Sequence, residues 1–290
     1  MKYTTFTAAC SLLSLSYAGA ATSFTGGALN NAGNWDNGLP TAGNDGNIAV
    51  AGDLGNLDVN TAGAVSVNHT SATLTKTGVS YTDATFENSN AGGTLAWNMS
   101  GNASIDGNRV LSFDDHTTAT ISGGSIVSSG VGGSRLQSLA SSTVVNITGG
   151  TFTNLGFWAV DGSLSLIGGN ADLGTQNVRV SGSGSITMGG NFTLTGAATT
   201  AANNQYFFTG STITLQADWS GSMSNANWDK AAWISEIESI NLVYDGTTIN
   251  GANFDTYFSE SNGTITAIPE PSATTLLGLS GFALILRRRK

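Results

Sequence analysis

Charge is scarce in this chain. Only 10% of its 290 residues are Asp, Glu, Lys or Arg, against roughly 25% in an ordinary soluble domain. Cysteine is nearly absent: Cys10 is the only one. A mature segment without Cys10 holds no disulfide, no thiolate metal site and no thiol nucleophile. His69 and His116 are the only histidines, which excludes a His-rich zinc centre. There is no Gly-x-Ser-x-Gly elbow, no His-Glu-x-x-His helix and no P-loop, so the corresponding hydrolase and nucleotide chemistries have no carrier. No apolar run reaches the ~20 residues of a full membrane span.

Glycine fills the gap, with 39 residues beside abundant Ser, Thr and Asn. Yet 40% of residues are hydrophobic, too many for a disordered low-complexity chain. Small polar residues mixed with Val, Ile and Leu favour β-structure. The length suffices for one or two domains with a core.

The few cations are unevenly spread. Lys2 lies at the start, and Arg287, Arg288, Arg289 and Lys290 at the end. Between residues 21 and 268 only Lys76, Arg109, Arg135, Arg179 and Lys230 remain, five cations against eighteen acids, a net of −13. Such a surface repels nucleic-acid phosphates and anionic lipid, so no nucleic-acid partner is expected.

Residues 1–20 read as a signal peptide. Lys2 gives the positive start, 6–17 are mostly apolar or small, and Ala18-Gly19-Ala20 is a small-x-small cleavage site before Ala21. A short buried helix is the competing reading. Thr7 stands where a lipobox before Cys10 requires an aliphatic residue, which disfavours lipoprotein processing.

At the other end Pro269-Glu270-Pro271 comes first. An uncharged run over 272–286 follows, carried by Ala273, Leu276, Leu277, Leu279, Phe282, Leu284, Ile285 and Leu286. As a helix it measures roughly 22 Å, short of a ~30 Å hydrocarbon core. The four terminal cations would stop translocation and remain cytoplasmic. The two prolines keep the approach extended, within reach of a protease.

This order of motif, apolar helix and basic cluster resembles the PEP-CTERM sorting signal of Gram-negative-type bacteria. The resemblance covers residues 267–290. It implies an exosortase, a membrane transpeptidase acting near Pro-Glu-Pro, as partner, after the secretion translocon and signal peptidase. It also implies transient inner-membrane anchoring, then release to the cell surface or extracellular matrix, commonly alongside exopolysaccharide, a further implied partner. An ordinary single-pass tail is the alternative.

Between the ends, apolar residues alternate: Leu95, Trp97 and Met99; Leu164 and Leu166; Val178 and Val180; Ile186 and Met188; Phe192 and Leu194; Ile213 and Leu215. Period-2 spacing puts each set on one face of a strand. A Gly-Gly pair recurs within apolar flanks, with steps of 26, 19 and 21 residues from Gly123 to Gly149, Gly168 and Gly189. Repeats of that length indicate a solenoid. The expected fold is therefore all-β: a parallel β-helix or β-solenoid passenger over 21–216 and a small cap over 217–267. A signal helix over 1–20 and a tail with a transmembrane helix over 268–290 flank them. A β-sandwich is the competitor. Residues 33–40, with Trp35, Gly38 and Pro40, resemble the Trp-x-x-Gly-x-Pro openings of bacterial β-helical passengers, autotransporters among them. Trp35 would cover the open end of the stack.

Trp219, Trp228 and Trp233 fall close together. Asn227 is expected to cap a helix over 228–239, followed by strands at 240–243 and 264–268. The tryptophans read as a plug for the last coil, or alternatively as an aromatic platform for sugar rings. Asp114-Asp115-His116 is the one cluster with the tools for glycoside cleavage, set against a solvated turn after 110–113. Oxygen-rich stretches at 45–47 and 53–58 suit calcium in type, without known ligand spacing. The function expected is that of an exported structural or adhesive protein of the surface or matrix, without enzymatic activity and without a cofactor. The alternative is a secreted carbohydrate-binding or polysaccharide-degrading β-helix protein.

Overall fold

The computed structural model describes residues 21–76, 84–107, 110–129, 134–197 and 206–268. The chain there is all-β, built from short strands that pair in parallel with the strand one coil further on. One coil advances 19 residues at its shortest, Val145 to Leu164, and 31 at its longest, Leu74 to Ile105. Three faces result, and the architecture is solenoid-like.

The first face runs through Gly46–Ile48, Gly63–His69, Gly93–Met99 and the start of Thr117–Val127. It continues through Val144–Thr153, Ser163–Leu166, Ser185–Met188, Thr212–Leu215 and Asn241–Tyr244. The alternation read from sequence decides which side is inward. Trp97, Ala119, Val145, Leu164, Ile186, Ile213 and Leu242 stand in one register column, all buried. Burying each such Leu, Ile or Val is worth ~1.5–3 kcal/mol, and in a stack these contributions nearly add. The outward column between them is Asn, Ser and Thr: Asn47, Asn68, Asn98, Thr120, Asn146, Ser165, Thr187 and Thr214. Neighbours in it bond across coils, as where Asn98 Nδ2 donates to Asn68 Oδ1 at 3.1 Å.

The second face carries the inward column Leu74, Ile105, Ile126, Phe152, Ala171, Leu194 and Met223. Gly-Gly corners join it to the first face. Gly124, Gly150, Gly169 and Gly190 all have positive φ, a region closed to residues with a Cβ except at a cost. The repeated pair seen in sequence is thus a stacked corner. The third face is a separate sheet of Leu57–Asp58, Ala84–Glu87, Val110–Phe113, Arg135–Ser138, Gly156–Ala159 and Val178–Val180. Aromatic rings tie the faces together across the core. Phe86 of the third face stacks on Trp97 of the first with centroids 4.2 Å apart.

Both ends are covered. Trp35 is buried against Phe24, and its Nε1–H donates to the Leu29 carbonyl at 2.9 Å. At the far end parallel pairing persists through Ser222–Asn225 and Asn241–Tyr244, so the expected boundary at 216 falls inside the stack. The strand Thr264–Ala267 then pairs antiparallel with Ser222–Asn225 and ends the second face. A helix spans Lys230–Glu238, and its N-cap is Asp229, which accepts from the Ala232 N–H at 2.9 Å. The expected cap, Asn227, lies two residues before this position, and the helix starts at Lys230 rather than at 228. Trp228 and Trp233 meet edge to face at 4.7 Å under this helix. Among the described residues no helix is long and apolar enough to cross a membrane. The expected signal helix and transmembrane run lie outside them.

Candidate functional site

Of the residues assigned to processing and sorting, only Ala21 is described. It is exposed, and its carbonyl accepts from Asn37 Nδ2 at 3.4 Å. Ala18, Ala20, Pro269, Glu270, Pro271, the apolar run and the four terminal cations lie outside the described residues.

Asp114, Asp115 and His116 form a turn after Val110–Phe113. His116 has φ +54, its N–H donates to Ser142 Oγ, and its Nδ1 lies 3.2 Å from the Asn88 carbonyl. The turn is therefore bonded to both neighbouring coils. Among the described residues no three His, Cys, Asp or Glu side chains come together to hold a metal. Trp219, Trp228 and Trp233 are buried. A cleft of about 400 Å³ is lined by Asp218, Trp219, Tyr244, Asp245 and Thr266. Trp219 and Tyr244 are themselves only 2% and 5% exposed, so they offer a sugar ring no open aromatic face.

The chemistry gathers on the outside of the third face. Register aligns Ser112, Gln137, Trp158 and Arg179 in one outward column. Gln137 Nε2 donates to Ser112 Oγ at 2.7 Å and its Oε1 accepts from Arg135 Nε at 2.8 Å. The Arg135 guanidinium carbon lies 4.2 Å from the Trp158 ring centre. Arg135 pairs with Gly156 in the next coil. Arg179 stands 4.9 Å from the Trp158 centroid and 4.2 Å from that of Phe208. Trp158 Nε1 donates to Asn177 Oδ1 at 3.2 Å. Two of the five cations between residues 21 and 268 thus share one ring, each contact worth ~0.5–1 kcal/mol at an exposed site.

The other half of the same face is acidic. Asp58 pairs with Glu87, and Asp114 follows, its N–H bonded to the Phe86 carbonyl. Burial raises the Glu87 carboxyl above its ordinary pKa, helped by the charges of Asp58, Asp114 and Asp115. Burial and the Asp115 charge likewise raise Asp114. For Asp58 burial acts upward, but the donors of Ser89 and Asn60 outweigh it and hold the carboxyl low. Stacked like charges of this kind are destabilising.

Composition did not reveal the cluster of Arg135 and Arg179 about Trp158. A signal was present, since Gln137, Trp158 and Arg179 recur at steps of 21 residues, the length of a coil. What the fold defines is a class: an all-β, parallel, solenoid-like protein whose third face carries charge of both signs. No family model, no curated protein and no solved structure matches the chain.

Proposed function

We propose that this chain is an exported structural or adhesive protein of the bacterial cell surface or extracellular matrix. In this reading the translocon and signal peptidase release the passenger, and an exosortase processes it near Pro269. The transmembrane run over 272–286 holds it transiently in the inner membrane. The carrying observation is the order of Pro269-Glu270-Pro271, an uncharged run and four terminal cations. The solenoid-like stack supports it, because columns of Asn, Ser and Thr along a rigid body suit a wet, multivalent outer surface. The finer fold belongs to the same proposal: a β-helix passenger with a C-terminal cap, between a signal helix and a membrane helix. Exopolysaccharide is the proposed surrounding partner.

Surface labelling of intact cells, with a strain lacking the protein beside it, tests this reading. A labelled protein and altered cell aggregation or matrix in the deletion strain are expected. A protein found only in the cytoplasm would overturn it. Cleavage of a polysaccharide by the purified chain, lost on Asp114→Asn with Asp115→Asn, would favour the degradative alternative instead.

A further inference from the structure

The third face ends in a stack of alternating cations and rings. Val178 bridges Phe207 in parallel, so Phe208 follows Arg179 in the column that already holds Gln137 and Trp158. Arg135 reaches the Trp158 ring from the coil before and Arg179 from the coil after. Phe208 meets Arg179 from the next coil, with the guanidinium carbon 4.2 Å from its centroid. The Arg179 head is therefore held between two rings.

That head has no acceptor among the described residues. Only its Nε is both buried and unbonded, so the two terminal nitrogens are open to solvent. Glu236, the acid bonded to the neighbouring Phe207, spends its Oε1 on that N–H. The acidic residues of the same face, Asp58, Glu87 and Asp114, begin three strands away, ~14 Å at the strand spacing, beyond the ~8 Å over which exposed charges act in physiological salt. Arg135 is fixed beside the shared ring by the bond from its Nε to Gln137 Oε1. The passenger as a whole is acidic, but here two of its five cations stand around one ring.

We propose that Arg179, with Arg135 beside it, binds the carboxylate of a uronate residue in an acidic polysaccharide. A guanidinium presents a planar fork of N–H donors that matches a carboxylate bidentately. With Nε covered, the terminal pair of Arg179 takes the carboxylate end-on, and Arg135 adds a second positive charge. Phe208, 38% exposed, offers its open part to the C–H face of the sugar ring, for which a bare inorganic anion has no use. The inference rests on the proposed matrix function for its glycan partner and adds what that glycan carries.

The test is native gel electrophoresis of the full chain in nonionic detergent, with polygalacturonate or alginate cast in the gel. Retardation by at least one of the two is expected. Neutral dextran and fully methyl-esterified polygalacturonate, whose carboxylates are blocked, should not retard it. Arg179→Gln and Arg179→Lys should each raise the apparent dissociation constant by roughly tenfold or more, the second because an ammonium keeps the charge and loses the fork. Lys230→Gln, which removes a cation paired with Asp255, should leave binding unchanged. Thermal melts check that each variant folds. No retardation by either uronate polymer, or folded Arg179 variants that bind like wild type, would overturn the proposal. Dextran sulfate retarding the chain as strongly as the uronate polymers would mean charge attraction alone and would overturn it too. A chain that binds uronate but stays in the cytoplasm of the native host would sink the export reading alone. A surface-labelled chain that binds neither polymer would sink this site alone.

Discussion

Gly169 lies directly against Gly150 of the preceding coil: a Cβ on Gly169 would stand 2.6 Å from the Gly150 carbonyl oxygen. Its φ is +102 as well, so the corner demands glycine for both backbone conformation and space. Gly169→Ala should cost about 2–4 kcal/mol. Gly246 has φ +76 but nothing within 4 Å of the added Cβ, so Gly246→Ala should cost only about 1 kcal/mol. Urea unfolding of both variants measures the difference; equal losses would mean that the corner contact is unimportant.

Arg179 binds two aromatic rings, Trp158 and Phe208. Arg179→Ala should lower stability by about 1–2 kcal/mol. Arg179→Lys should recover only part of the loss, because an ammonium cannot stack its plane on a ring. Unfolding free energies in dilute solution check the order wild type, Lys, Ala.

His69 is buried in the apolar column between Ile48 and Met99. Its Nε2 lies 3.1 Å from the Ala72 carbonyl, and that oxygen only accepts, so Nε2 carries the proton. Burial lowers its pKa, against the raising influence of the Ala72 and Ser71 carbonyls. The unfolded chain takes up a proton near pH 6.5, before the folded one does. Stability should therefore decline as pH falls from about 6.5 through the lowered folded value. His69→Met should remove that part of the pH dependence. An unchanged profile from pH 7 to 5 in the variant would contradict the assignment.

Glu236 is buried on the cap helix, and its Oε1 accepts the Phe207 N–H at 2.6 Å. Burial raises its pKa above 4.5, while the Phe207 and Tyr206 N–H groups pull it down. The sign is opposite to that of His69. The stability this carboxyl contributes is complete below about pH 4.5 and is lost as pH rises through the folded value. Glu236→Gln keeps the acceptor and removes the charge, so it should raise the unfolding midpoint at pH 7. The two proteins should converge below pH 4.5, which thermal melts at both pH values would show.

The first two faces were legible in the sequence because their strands alternate cleanly. Leu164 with Leu166 and Ile186 with Met188 sit where the period-2 pattern put them, and the Gly-Gly steps mark a real corner. Of the third face only Val178 with Val180 was legible in the same way. Its outward column holds Ser112 and Gln137, both buried, and a ring, Trp158, rather than a run of small polar residues. Only register brings Arg135, Trp158 and Arg179 together. The last coil was hidden for another reason: clustered tryptophans mark it as cap, although Ser222–Asn225 and Asn241–Tyr244 still pair in parallel. The helix start lay two residues later than expected because Asp229, itself a good N-cap residue, accepts the Ala232 N–H.

Mass spectrometry of the chain's C-terminus in the native host, with and without the exosortase, tests the central claim most directly. The account predicts a mature form ending near Pro269 or Pro271 only when the exosortase is present. An intact Arg287–Lys290 tail in both strains would contradict it and leave a simple membrane-anchored protein.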